Sequence, residues 1–167
     1  MNEVKNVSNL TDFMTMQEFA KTAEDKLSIE TWDYLVGGAY TETTLKRNRQ
    51  SLDNIAFRPR VLNNVESVDA SVELFGHKLR LPVIMAPIGS VQDFVEGGGV
   101  VPTKAAARFG CYHMLSSVCK PYLEAVAESV EYPKIYQLYV RGDAKWVDDH
   151  IDRAIAFGYV AFCFTVD

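Results

Sequence analysis

The sequence predicts an α/β fold, the N-terminal half (strands 1–4) of a (β/α)8 TIM barrel preceded by helices and a small β-hairpin. Three observations predict it. Four short apolar runs, at residues 81–87, 112–118, 134–140 and 160–167, have the length and the aliphatic and aromatic content of buried strands. Segments of helical periodicity separate them, and the runs start at 81, 112, 134 and 160, the spacing of βα units. Polar residues gather where the runs end: Ser116 and Ser117, Gln137 and Tyr139, Thr165 and Asp167. In barrels the C-terminal ends of the strands carry the chemistry. A doubly wound open sheet accepts the same units, but its nucleotide-binding form needs a glycine fingerprint directly after the first strand. Gly97-Gly98-Gly99 comes ten residues past Pro87 with the wrong spacing. It reads as a mobile loop leading into a helix.

The elements follow in order. Residues 1–12 are polar. From 15 to 37 the pattern is helical, with Phe19, Ala20, Ala23 and Leu27 on one face and Ile29, Trp32, Leu35 and Val36 on a second. Gly37-Gly38 is expected to stop it in the left-handed conformation. Residues 39–66 carry Lys46-Arg47-Asn48-Arg49 and Phe57-Arg58-Pro59-Arg60, a basic connector whose proline argues against a regular helix. Residues 68–74 and 77–81 alternate around Phe75-Gly76, a hairpin signal. The chain thus divides into a helical segment and connector, 1–66, and a hairpin with half a barrel, 67–167. In the second part Pro102 is tolerable only in a first helical turn, and Gly110 ends that helix. Pro121 opens the next, with Leu123, Val126, Ala127 and Val130 on one face. Val147, Ile151, Ala154 and Ile155 mark a third, which stops at Gly158.

A net charge of −5 gives no reason to expect nucleic acid or an anionic membrane as partner. No stretch approaches the roughly 18–20 apolar residues that span a bilayer, and the first residues lack the apolar core of a secretory signal. The three cysteines, Cys111, Cys119 and Cys163, have neither metal nor redox spacing. Reduced thiols, no metal site and a cytoplasmic location are the expectation. A chain ending on a buried parallel strand is also expected to work as part of something larger.

Taken together, Met85-Ala86-Pro87-Ile88-Gly89, Leu115-Ser116-Ser117, Tyr136-Gln137-Leu138-Tyr139 and Phe164-Thr165-Val166-Asp167 resemble the FMN-dependent α-hydroxy-acid oxidases and dehydrogenases. Glycolate oxidase, lactate oxidase, lactate monooxygenase and mandelate dehydrogenase belong to that family. Upstream, Trp32-Asp33-Tyr34-Leu35-Val36-Gly37-Gly38-Ala39, Thr44-Leu45 with Asn48-Arg49, and Phe57-Arg58-Pro59-Arg60 with Leu62 agree, so the resemblance runs from about residue 15 onward. It implies a barrel holding FMN at its C-terminal face and oxidising an (S)-2-hydroxy acid to a 2-oxo acid. It places the backbone of Ala86, Pro87, Ile88 and Gly89 against the flavin ring and Ser116, Gln137 and Thr165 at its polar edge. It gives Tyr34 and Tyr139 to the substrate. Amides and hydroxyls suit such a neutral ring edge, and buried Tyr and Gln need such partners.

The family's histidine base, its substrate-binding arginine, its flavin-side lysine and its phosphate site are not matched here. His77, His113 and His150 are expected to be structural. A nicked or split enzyme completed by a second chain or fragment, a truncated complete enzyme, and a non-catalytic half-barrel are the competing explanations. A flavin-dependent isomerase is a remoter one. A homo-oligomer is expected. Gly89 falls where the resemblance places alanine in glycolate and lactate oxidases and glycine in mandelate dehydrogenase and lactate monooxygenase. It bears on the electron acceptor, or else it simply permits a tight turn.

Overall fold

The computed structural model describes residues 13–166, so Asp167 lies outside the described residues. The chain divides into two compact units, Met1–Asn64 and Val65–Asp167. The first holds α1 (Met16–Lys26), α2 (Ile29–Val36) and α3 (Thr43–Asp53). The expected helical stretch is thus broken at Leu27-Ser28. Ser28 caps α2 by accepting from the Thr31 N–H at 3.3 Å, which satisfies a donor the helix leaves free. Gly37 does end α2, but with φ −74° and ψ 154° it is extended rather than left-handed. Its lack of a side chain matters for another reason. A Cβ there would lie 2.6 Å from the Asp33 carbonyl oxygen.

The connector is not without regular structure, for α3 occupies its first half. Pro59 lies beyond the helix end and leaves it undisturbed. Straight-chain residues between Lys46 and Gln50 favour the helix, and Arg49 pairs with Asp53 one turn on at 2.6 Å. Residues 55–71 carry neither helix nor strand.

The second unit begins with the hairpin of β1 (Val72–Leu74) and β2 (His77–Leu79). Phe75 and Gly76 both have positive φ, 50° and 75°, which matches the right-handed twist of a two-residue hairpin. Then come β3 (Ile84–Met85), α4 (Val100–Phe109), β4 (Tyr112–Ser116), α5 (Leu123–Ser129), β5 (Lys134–Tyr139), α6 (Ala144–Ala156) and β6 (Tyr159–Thr165). The strands form one parallel sheet in the order β3-β4-β5-β6, so β3 and β6 each have a neighbour on one side only. Consecutive parallel strands joined by helices are the arrangement of a partial (β/α)8 barrel. β3 is shorter than the expected 81–87 because Pro82 and Pro87 flank it and neither can donate to a ladder.

Alternation along the strands builds two different faces. Leu115, Tyr136, Leu138 and Tyr159 pack with Leu123 and Val126 of α5 and Ala154 of α6. The opposite face buries Tyr112 and Ile135 against Leu79, with Val72 and Leu74 of the hairpin beside them. The Tyr112 hydroxyl donates to the Leu74 carbonyl at 2.8 Å, fixing the hairpin over the N-terminal ends of the strands. β6 carries an extra residue at Val160, where the register slips between Lys134 and Ile135, and Val160 and Ala161 both join that apolar cluster.

Candidate functional site

Moving toward the C-terminal ends, the hairpin-side face changes from apolar to polar. Register places Ser116 beside Gln137, and Tyr139 beside Thr165. Ser116 and Gln137 are buried, 2% and 1% exposed, and Thr165 is half-buried. Gln137 Nε2 donates to Thr165 Oγ1 at 2.5 Å. Gln137 Oε1 is buried without a hydrogen-bond partner, the one such side-chain atom among the described residues. A buried acceptor left unmatched costs about 1–3 kcal/mol, so its retention at a strand tip asks for a donor from outside the chain.

Ser116 Oγ accepts from the Val118 N–H at 3.3 Å, which turns the chain after β4. The Ser117 hydroxyl, whose role the sequence left open, accepts from the Tyr139 N–H at 3.1 Å and so ties the ends of β4 and β5 together. Tyr139 itself is 40% exposed, its phenol standing at the polar end of β5. Tyr34 lies on α2 in the other unit and is 72% exposed.

Residues 86–89 follow β3 as a tight turn, with the Ile88 N–H donating to the Ala86 carbonyl at 3.0 Å and the Ser90 N–H to the Val118 carbonyl at 3.2 Å. Ile88 is 53% exposed. Gly89 is outside the left-handed region, so the turn does not itself demand glycine. A Cβ at this position would meet Val118 Cγ2 at 2.8 Å, so close approach of the two loops is what excludes a side chain.

The glycine run is not a loose loop. Gly98 and Gly99 are buried, the Gly99 N–H donates to the Lys120 carbonyl at 2.9 Å, and a Cβ on Gly98 would lie 1.9 Å from that oxygen. Gln92 Oε1 adds a bond from the Lys120 N–H at 2.8 Å. The loops after β3 and β4 are therefore clasped, and the adjacent glycines were the sequence signal for it.

The histidines take structural places. His113 is 4% exposed on β4, where its Nδ1 lies 2.8 Å from the Thr103 hydroxyl. That hydroxyl donates to the Gly99 carbonyl, so the imidazole N–H donates to it. Desolvation pulls the ring's pKa from 6.5 down to about 4. His150 Nδ1 lies 2.8 Å from the Trp146 carbonyl. His77 is in β2. All three cysteines are free, with Cys111 and Cys119 buried and their thiols pushed up by desolvation. Among the described residues there is no cluster of metal-ligating side chains and no helix long and apolar enough to cross a membrane.

Comparison with known proteins follows the same lines. The family model described as FMN-dependent dehydrogenase matches residues 23–167. L-lactate dehydrogenase of Ectopseudomonas mendocina (strain ymp) is 41% identical over 150 residues, covering 90% of this chain and 40% of that protein. L-lactate dehydrogenase of Serratia proteamaculans (strain 568) is 38% identical, with the same coverage. A crystal structure of mandelate oxidase superposes with a TM-score of 0.87 at 30% identity, over 93% of this chain and 45% of that one. A mandelate oxidase mutant with a C4a-OH-FMN adduct gives 0.83 at 30% identity, over 89% of this chain and 45% of that one. The chain spans about 40% of the length of the curated relatives it matches.

Proposed function

The chain belongs to the FMN-dependent dehydrogenase family, and from that premise we propose that it is the N-terminal part of an enzyme that oxidises an (S)-2-hydroxy acid to a 2-oxo acid. The observation that carries the site is the buried Gln137 amide with its unmatched Oε1. A flavin's pyrimidine edge alternates carbonyls with an N–H and is uncharged, which fits this donor set. Gln137 Oε1 offers an acceptor to the N–H, and the Ser116 and Thr165 hydroxyls serve the carbonyls. The clasped loop at residues 86–89 supplies a backbone surface for the ring, held in place by Val118. Bound FMN would supply the two-electron acceptor, which is the cofactor's own chemistry.

Tyr139 presents its phenol for the substrate, and the family resemblance assigns Tyr34 to the substrate as well. Ser117 holds the Tyr139 backbone, which sets where that phenol stands. A phenol is a neutral donor that suits an anion without giving up its own proton at neutral pH. The histidine base, the arginine that grips the carboxylate and the phosphate site belong, on this reading, to a second segment or chain. That piece adds strands to the free edges of β3 and β6. Homo-oligomerisation and a cytoplasmic location, the latter motivated by the free thiols, belong to the same reading.

The test is to co-express this chain with the unmatched C-terminal part of one of the L-lactate dehydrogenases. The expected complex is yellow and bleaches anaerobically with at least one of a panel of 2-hydroxy acids, while the chain alone holds FMN weakly and turns nothing over. An assembled complex without flavin, or with a flavin that none of the acids reduces, would overturn the function. Tight stoichiometric flavin binding by the chain alone would overturn the need for a second part.

A further inference from the structure

On the helix side of the sheet, away from the residues given to the flavin, lies a partly open cavity of about 170 Å³ between the C-terminal end of β5, α5 and α6. Arg141 and Arg153 line it, and no carboxylate does. Arg141 makes no ion pair among the described residues. Arg153 is held from behind: its Nε donates to Glu124 at 2.6 Å and its Nη1 to Asp149 at 3.2 Å, while Nη2 also meets Glu124. Three of its five N–H groups are thereby used and two are left.

The inner wall includes Tyr136, only 4% exposed. Its ring is fixed edge-on against Tyr159 and Phe162, with centroids 5.6 Å away in both cases. Its hydroxyl makes no hydrogen bond among the described residues, although the neighbouring Tyr159 hydroxyl is satisfied by the Leu123 carbonyl at 2.8 Å. Burial raises the Tyr136 pKa to about 12, so the phenol keeps its proton and acts as a donor. A phenol whose ring is packed and whose hydroxyl opens onto a cavity edged by two guanidinium groups gives that cavity a convergent set of donors.

We infer that this cavity is a binding site for a small oxyanion of phosphate or sulfate size, held by Arg141, Arg153 and the Tyr136 hydroxyl. It is separate from the proposed flavin site and does not depend on it, because every residue involved lies in this chain. It is also connected to that site. Ser117 and Tyr139 line the same cavity, and they are the pair whose hydrogen bond fixes the end of β5. An anion seated there would bear on the position of the substrate-side phenol.

Trp146 lines the cavity and provides the readout. With Trp32→Phe in the background, Trp146 is the only tryptophan in the 167-residue chain. Titration with sodium phosphate at constant ionic strength, balanced with chloride, should change its emission saturably, and sulfate should do likewise. Arg141→Ala should weaken the apparent Kd about tenfold, the usual scale for one charge-assisted bond. Tyr136→Phe keeps the packed ring and removes only the hydroxyl, so it should fold and bind roughly three- to tenfold more weakly. A linear response that chloride reproduces would overturn the site. Saturable binding that neither substitution weakens would overturn it equally.

Discussion

Replacing Gln137 by methionine separates what this residue does for the fold from what it does for the flavin. Methionine is unbranched and of similar length, so the volume at this 1%-exposed position is kept. The substitution removes the unmatched Oε1, whose desolvation costs about 1–3 kcal/mol in the chain without ligand. It also removes the Nε2 bond to Thr165, worth roughly 0.5–1.5 kcal/mol. Thr165 is half-buried and regains water, which keeps that loss near the lower figure. The chain alone should therefore be unchanged or up to about 2 kcal/mol more stable. Urea unfolding checks this as a raised midpoint at constant slope. In the assembled flavoprotein the same change should weaken FMN binding roughly 10- to 100-fold, because a ring N–H loses its acceptor. Destabilisation of the chain by more than about 1 kcal/mol would refute the orphan acceptor. Unaltered FMN affinity would refute its use.

Three further outcomes are expected. Tyr139→Phe in the assembled enzyme should slow flavin reduction by roughly 10²–10³, the scale for losing one donor to a developing charge, with FMN affinity little changed; equal losses in both would show that the phenol serves the ring. Gly89→Ala should destabilise the chain by about 1–3 kcal/mol through overpacking on Val118, and Val118→Ala should restore most of it, so strictly additive effects in the double variant would rule out the contact. Native His113 resists protonation down to about pH 4 whereas the unfolded ring titrates near 6.5, so its contribution is complete above 6.5 and is lost as pH falls toward 4; wild type should lose roughly 2 kcal/mol more than His113→Gln between pH 7 and pH 5, and parallel losses would contradict it.

How much of this was legible in the sequence depends on whether a feature is local. The four strands and their helices were readable because apolar runs and one-sided helical faces lie between glycine stops such as Gly110 and Gly158, both with positive φ in the structure. The hairpin was readable because Phe75-Gly76 carries its own turn chemistry. α3 was missed because its residues are polar nearly all round and Pro59 drew the eye beyond its end. The extent of β3 was overstated because an apolar run does not reveal which ladder donors two prolines remove. The turn reading of Gly89 and the loose-loop reading of the 97–99 run fail for one shared reason. Their glycines answer to the Val118 side chain and the Lys120 carbonyl, partners that only the folded chain brings near. Position marked Gln137, Ser116 and Thr165 among the polar strand tips, and the family resemblance singled them out for the flavin. Which amide atom would be left unmatched could not be read from either.

The polarity gradient along the sheet ties the site to the free edges. On the hairpin side, Tyr112 and Ile135 meet Leu79 at one end of the strands, while Ser116, Gln137 and Thr165 stand at the other. The first end is closed by this chain's own hairpin. Strands β3 and β6 bound this face, each with one row of backbone groups unpaired. A strand that pairs with either edge lies beside the polar end, where the Gln137 acceptor is already buried and unmatched, so edge pairing and ligand binding meet in one place. By linkage, whatever binds at that end strengthens edge pairing, and edge pairing strengthens binding by the same factor. On the proposed reading, FMN is as much a part of the assembly interface as the strands that complete it.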